Sequence, residues 1–149
     1  LATLTSIAVG IALGISGFTF VYARGESYLR DNPEACANCH VMREQFEGWL
    51  RSSHRNAAAC NDCHTPHGVT GKYLNKVVNG FRHSWGFTLD RFAEPIAIKP
   101  HNRAITEQRC RSCHQEIVDA IDTQHRDGQE LNCTGCHGSV GHPEWMVAR

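Results

Sequence analysis

The sequence has no excess of charge of either sign. Fifteen basic side chains balance fifteen acidic ones over 149 residues, so it lacks the broad basic surface that nucleic-acid binding needs. It also lacks the material for a large apolar core. Only 41% of the residues are hydrophobic, and part of these lie in one N-terminal run, so a domain of this length must be organised by something besides its side chains. Charge is missing altogether from Leu1 to Tyr22. Nor does any cysteine stand alone, because all eight fall into one pattern.

The uncharged run reads LATLTSIAVGIALGISGFTFVY. About 20 apolar residues in a helix span the hydrocarbon of a bilayer. The competing reading is a cleaved signal peptide, whose apolar region is only about 7–15 residues, so a retained anchor over residues 1–23 is expected. Phe20 and Tyr22, with Arg24 behind them, suit the interfacial belt where a span ends. Leu1 in first place leads us to expect the natural chain to begin a little earlier. Gly10 and Gly14 stand four apart, a spacing that lets two spans approach closely. Glycine is also simply common in membrane helices, and that reading is preferred, so homo-oligomerisation is allowed rather than indicated.

The cysteines form Cys36-Ala37-Asn38-Cys39-His40, Cys60-Asn61-Asp62-Cys63-His64, Cys110-Arg111-Ser112-Cys113-His114 and Cys133-Thr134-Gly135-Cys136-His137. C-x-x-C-H is the attachment signature of c-type haem. Two cysteines on one turn reach the two vinyl groups of a porphyrin as thioethers, and the adjacent histidine reaches the iron. Zinc sites and redox dithiols also use paired cysteines, but neither needs a histidine after every pair. Four covalent haems are expected, and they supply the core that the side chains cannot. Such attachment takes place outside the cytoplasm. Residues 24–149 should therefore form a periplasmic domain on a single-pass anchor of the inner membrane, with any cytoplasmic part short.

The first two cysteine pairs start 24 positions apart and the last two 23 apart. Ser53-His54-Arg55-Asn56 and Gln124-His125-Arg126-Asp127 lie at matching places between them. This reads as a duplicated two-haem unit, about 36–67 and 110–142. Axial ligands set a haem's potential, and imidazole is a common one. Outside the motifs stand His54, His67, His83, His101, His125 and His142. His54, His125 and His142 are the preferred ligands and His83 is a further candidate. His67 and His101 are bystanders or groups that hold a ligand in place. Only the first motif continues to a methionine, Met42, either as a thioether ligand or packed against porphyrin.

These residues resemble the NapC/NirT family of membrane-bound quinol dehydrogenases over nearly the whole chain. The short segment from His64 to Cys110 is most similar to the small subunit of cytochrome c nitrite reductase complexes. The resemblance implies that Met42, rather than His40, ligates the first haem and leaves its other face to menaquinol. It implies that Lys76 and His83 line the quinol pocket, that His54 serves the fourth haem and that His142 serves the third. His64, His114 and His137 ligate the irons of their own motifs. Repeat symmetry gives the second haem to His125, whereas the family gives that place to a lysine of the catalytic partner. Both alternatives stand at this point. The implied partners are the membrane quinol pool and a periplasmic multihaem nitrite reductase.

A menaquinol gives up two electrons and two protons, and burial of Lys76 or His83 would favour the neutral, proton-accepting form. His83 is the better base on its intrinsic pKa. The fold expected is mainly α with much irregular structure and no substantial sheet. Helices are expected over Glu34–Trp49, Gly71–Phe87 and Arg111–Gln124. Asp31-Asn32-Pro33 is a start signal, and Glu94-Pro95 and Lys99-Pro100 are breaks. The rival reading is a membrane-tethered electron relay without a quinol site.

Overall fold

The computed structural model describes residues 1–122 and 131–142, and every regular element within them is helical. Helix α1 (Ala2–Tyr22) carries the uncharged run and has no buried residue. At 1.5 Å per residue its length is about 30 Å, that of a bilayer's hydrocarbon core. It is the one described helix long and apolar enough to cross a membrane. Its polar side chains are internally satisfied: Thr5 Oγ1 donates to the Leu1 carbonyl and Ser6 Oγ to that of Ala2, each at 3.0 Å. Such back-bonding is what a hydroxyl needs where no water is available.

The chain turns sharply after α1. Arg24 takes the left-handed conformation (φ 52°), and a 3₁₀ turn over Gly25–Leu29 follows. A Cβ at Gly25 would lie 2.5 Å from the Phe20 ring, so only glycine lets the strap fold back against the helix end. Asn38 Nδ2 donates to the Ala23 carbonyl at 2.9 Å, which fixes the first cysteine motif beside the end of the span.

Short helices carry the rest. They are α2 (Pro33–Ala37), α3 (Arg43–Leu50), α4 (Cys60–His64), α5 (Val69–Thr88), α6 (Pro100–Cys113), α7 (Gln115–Asp122) and α8 (Cys133–Cys136). The single helix expected over Glu34–Trp49 is interrupted. Cys39 is extended (φ −79°, ψ 115°), and a 3₁₀ turn over His40–Met42 precedes α3. The expected Gly71–Phe87 helix runs slightly longer, as α5. The expected Arg111–Gln124 helix is split at His114, with Gln124 outside the described residues. The expected break at Lys99-Pro100 holds: no helix runs through residues 89–99, and Pro100 opens α6 at its first position, where the missing N–H costs nothing.

Ala35 and Ile105 are the buried apolar side chains among the described residues, while Thr65, Asn75, Lys76 and Asn79 are buried and polar. Those polar groups are paired. Asn79 and Asn102 exchange two side-chain hydrogen bonds at 3.2 Å, tying α5 to α6. Asn75 Nδ2 reaches the His64 carbonyl at 3.2 Å, tying α5 to α4. Trp49 Nε1 donates to the Ala58 carbonyl at 2.9 Å and closes the loop that carries His54.

Candidate haem and quinol sites

Each motif sits on, or at the end of, a short helix: the first at the end of α2, the second as α4, the third in the last turn of α6 and the fourth as α8. One helical turn brings both cysteines of a C-x-x-C pair to the same side. The four motifs are neighbours in sequence order. Helix α2, with the first motif at its end, packs on α4 of the second; α4 packs on α6, whose last turn holds the third, and α6 packs on α8 of the fourth.

The histidines outside the motifs extend this order. The His142 ring stands 6.0 Å from that of His64, centre to centre and 28° from parallel. The His54 ring stands 6.0 Å from that of His114 at 77°. His142 Nδ1 lies 3.1 Å from the Gln45 carbonyl oxygen. A carbonyl only accepts, so Nδ1 bears the proton and Nε2 presents a lone pair, the arrangement that orients a metal-binding imidazole. His54 Nδ1 is held at 3.2 Å from Ser53 Oγ. Burial pushes His64 down to about 4, with His142 adding to the shift, and burial also lowers His142. Both imidazoles are therefore neutral at pH 7, the form that binds iron. His125 lies outside the described residues.

Two imidazoles with centres about 6 Å apart either share one metal, given a metal–nitrogen bond of about 2 Å, or stand back to back between adjacent metals. The pairs observed are His142 with the second motif and His54 with the third. They differ from the pairs that the resemblance implied would share an iron, His142 with His114 and His54 with His137. Under that implied ligation each distal histidine stands back to back with the motif histidine of the preceding haem.

In the first motif His40 and Met42 are two residues apart on a three-residue turn, so they point in different directions. His40 is exposed and Met42 half-buried. Lys76 is only 3% exposed. Its Nζ donates to the carbonyls of Arg30 (2.8 Å) and Tyr28 (3.0 Å), and Asp31 Oδ1 lies 3.6 Å away. Burial lowers its pKa, against the opposing pull of Asp31. Lys72 pairs with the same Asp31 carboxylate, and Asn61 Nδ2 of α4 donates to it at 2.7 Å. His83, two turns beyond Lys76, reaches solvent, and partial desolvation against the protein holds its pKa below the ordinary value.

One positioning group, Glu107, carried no sequence signal; another, His67, stood in the sequence as a bystander or a group that holds a ligand in place. Glu107 of α6 accepts from the backbone N–H groups of Cys133 (2.7 Å) and Thr134 (2.9 Å), so it caps the four-residue helix of the last motif from outside. His67 Nε2 meets Ser112 Oγ at 3.0 Å and also contacts Arg109. It therefore links the segment after α4 to α6. His101 is exposed near the start of α6. The donor set suits c-type haem: paired cysteines on single helical turns in the last three motifs, neutral imidazoles at His64 and His142, and described residues with only two buried apolar side chains, which need a packed group at their centre.

Comparisons with known proteins agree. The pattern of the NapC/NirT cytochrome c family, N-terminal region, matches residues 1–147. Cytochrome c-type protein NrfH of Wolinella succinogenes is 34% identical over 146 residues, 91% of this chain and 82% of that one. Cytochrome c nitrite reductase subunit NrfH of Nitratidesulfovibrio vulgaris is 28% identical, over 95% of this chain and 85% of the other. Among solved structures, a chain of the cytochrome c nitrite reductase NrfHA complex bound to the HQNO inhibitor superposes with a TM-score of 0.66. It is 26% identical and is matched over 92% of this chain and 90% of its own length. Because the family pattern runs unbroken from the membrane helix past the fourth motif, the affiliation rests on the whole architecture, and the chain belongs to the NapC/NirT cytochrome c family as a membrane-anchored cytochrome with covalent haem c.

Proposed function

We propose that the chain is the quinol-oxidising, electron-donating subunit of an ammonia-forming nitrite reductase complex. Residues 1–23 anchor it in the inner membrane, and residues 24–149 form a periplasmic domain with four haems. The observation that carries this reading is the ordered run of neighbouring motifs, α2 against α4, α4 against α6 and α6 against α8, which starts at the end of the span. Likeness to NrfH chains and to a chain of the NrfHA complex supports a multihaem nitrite reductase as the acceptor.

Haem c accepts electrons one at a time, whereas menaquinol releases two electrons and two protons. The chain's own residues must therefore hold the quinol and take its protons. Neutral His83 has an acceptor nitrogen and sits on the α5 face that also holds Lys76. It is the proton acceptor in this reading. Lys76 spends its donors on the Tyr28 and Arg30 carbonyls, so it holds the strap and α5 together at the membrane end of the domain. Met42 takes the first iron and leaves the other side for the quinol. Beyond it, His142 and His54 ligate the third and fourth haems, and the histidine pairs at 6.0 Å join the second site to the third and the third to the fourth.

The test is reduction of the detergent-solubilised holoprotein by a menaquinol analogue, followed by haem absorbance. Rapid partial reduction that Met42→His abolishes is the expected result. Full reduction by dithionite with none by quinol would leave a tethered electron relay.

A further inference from the structure

Helix α5 is inside out. Its buried residues are Asn75, Lys76 and Asn79, whereas Leu74, Val77, Phe81 and Trp85 are 57–69% exposed. At 100° per residue these four, with Val78, share one face directly opposite the buried polar one. The stripe is continuous, and Phe81 stacks on Trp85 with ring centres 6.2 Å apart. Single exposed apolar residues are ordinary, but a contiguous stripe of them marks a contact surface. The haem motifs do not cover it. The side of α5 that meets the motif-bearing helices is the polar one, through Asn75 to the His64 carbonyl and through Lys76, which interacts with Cys36.

Two observations identify what lies against this face. The first is its position. The Tyr28 ring packs on Gly80, where a Cβ would come within 3.3 Å, and Lys76 Nζ bonds the Tyr28 and Arg30 carbonyls. The middle of α5 is thereby fastened to residues that follow the end of α1 by six to eight positions. Tyr28 can stand at most about 20 Å from Tyr22 even with the chain fully extended. The second is charge. Val69–Thr88 contains Lys72, Lys76 and Arg82 and no acidic residue. An apolar stripe bearing Trp and Phe, on a helix whose charges are all positive, is the make-up of a helix lying in a membrane interface.

We propose that α5 docks its Leu74–Val77–Phe81–Trp85 face into the bilayer surface beside α1, giving the domain a second membrane contact. The span alone leaves the domain free to swivel about its axis. The second contact fixes the rotation of the domain about the span. The proposal concerns lipid contact alone and holds whether or not quinol is oxidised there.

The test uses the full-length holoprotein in nanodiscs of phosphatidylcholine and phosphatidylglycerol, doped with a lipid carrying a diazirine on its acyl chain. Illumination and peptide mass spectrometry then locate the adducts. Adducts on 74–85 as well as on α1, with Ile117 of α7 unlabelled although 60% exposed, are expected. The paired change Phe81→Gln and Trp85→Gln should remove the α5 adducts and leave the haem spectrum unchanged. Adducts confined to α1, or equally strong on α7, would overturn the proposal.

Discussion

Lys76 and His83 share one side of α5 and are fitted to different tasks. Lys76 is a buried cation with two backbone carbonyls and a carboxylate as acceptors. Lys76→Met strips those carbonyls of their donor, and hydrogen bonds to charged groups are worth about 1.5–3 kcal/mol. Thermal unfolding of the holoprotein, followed by haem absorbance, should show a loss of about 2 kcal/mol. His83, by contrast, is neutral because partial desolvation lowers its pKa, and a base works only while deprotonated. The rate of quinol oxidation should therefore be full at neutral pH and fall as the pH drops through that depressed value, below about 6.5. In His83→Asn the rate should drop about a hundredfold and lose this inflection, as stopped-flow pH profiles would register. The sequence marked His83 as the better base by side-chain chemistry alone. It could not mark the task of Lys76, because the acceptors are carbonyls of the main chain 46 and 48 residues away, and carbonyls have no letter in a sequence.

At the scale of elements, the shortest helix is the most dependent. Four residues cannot offset the cost of nucleating a helix, so α8 borrows order from Asn132, whose side chain accepts from Gly135 N–H, and from Glu107 of α6. Burial works against the Glu107 carboxylate, but its hydrogen bonds from Thr134 and Cys133 hold the pKa below the usual range. That contribution is present above the ordinary carboxylate pKa and is lost as pH falls through the lowered one. Glu107→Ala should leave the fourth motif poorly formed when its haem is attached. Intact-mass measurement should then find a large fraction of molecules one haem short. The helices themselves were partly legible. The Gly71–Phe87 prediction lies within α5, but reading an apolar stripe as core-facing would have turned this helix the wrong way round. Pro100 was legible only as a stop, since a proline that ends one element and one that opens the next look alike until the chain on either side is placed. The break at Cys39 had no warning in helix propensity, and the same C-x-x-C-H pattern stays helical in α4.

For the whole molecule, with only two buried apolar side chains among the described residues, the order of parts is set by the motifs. Their number, their attachment chemistry and the preceding span could all be read directly from Cys36 through His137 and from Leu1–Tyr22. Which ring stands against which could not, since it depends on loops whose paths no period or spacing encodes. If, as proposed, His142 ligates the third haem and backs onto His64, His142→Ala should open one iron. Carbon monoxide should then bind one additional haem per chain in difference spectra, and electron flow into the distal pair should slow. If His142 instead shares an iron with His64, the opened haem is the second, and the two outcomes separate by the potential of the haem affected.

The hydrogen bond from His142 to the Gln45 carbonyl joins positions 97 residues apart. A ribosome makes Gln45 long before it reaches His142, and all four attachment motifs precede that histidine. On the proposed ligation, a chain broken off just after His137 would carry every porphyrin and still lack a ligand in the middle of the array. Synthesis past His142 would then be written into the coordination of an internal iron, and a product truncated before it would betray itself by its spectrum before any partner had to reject it.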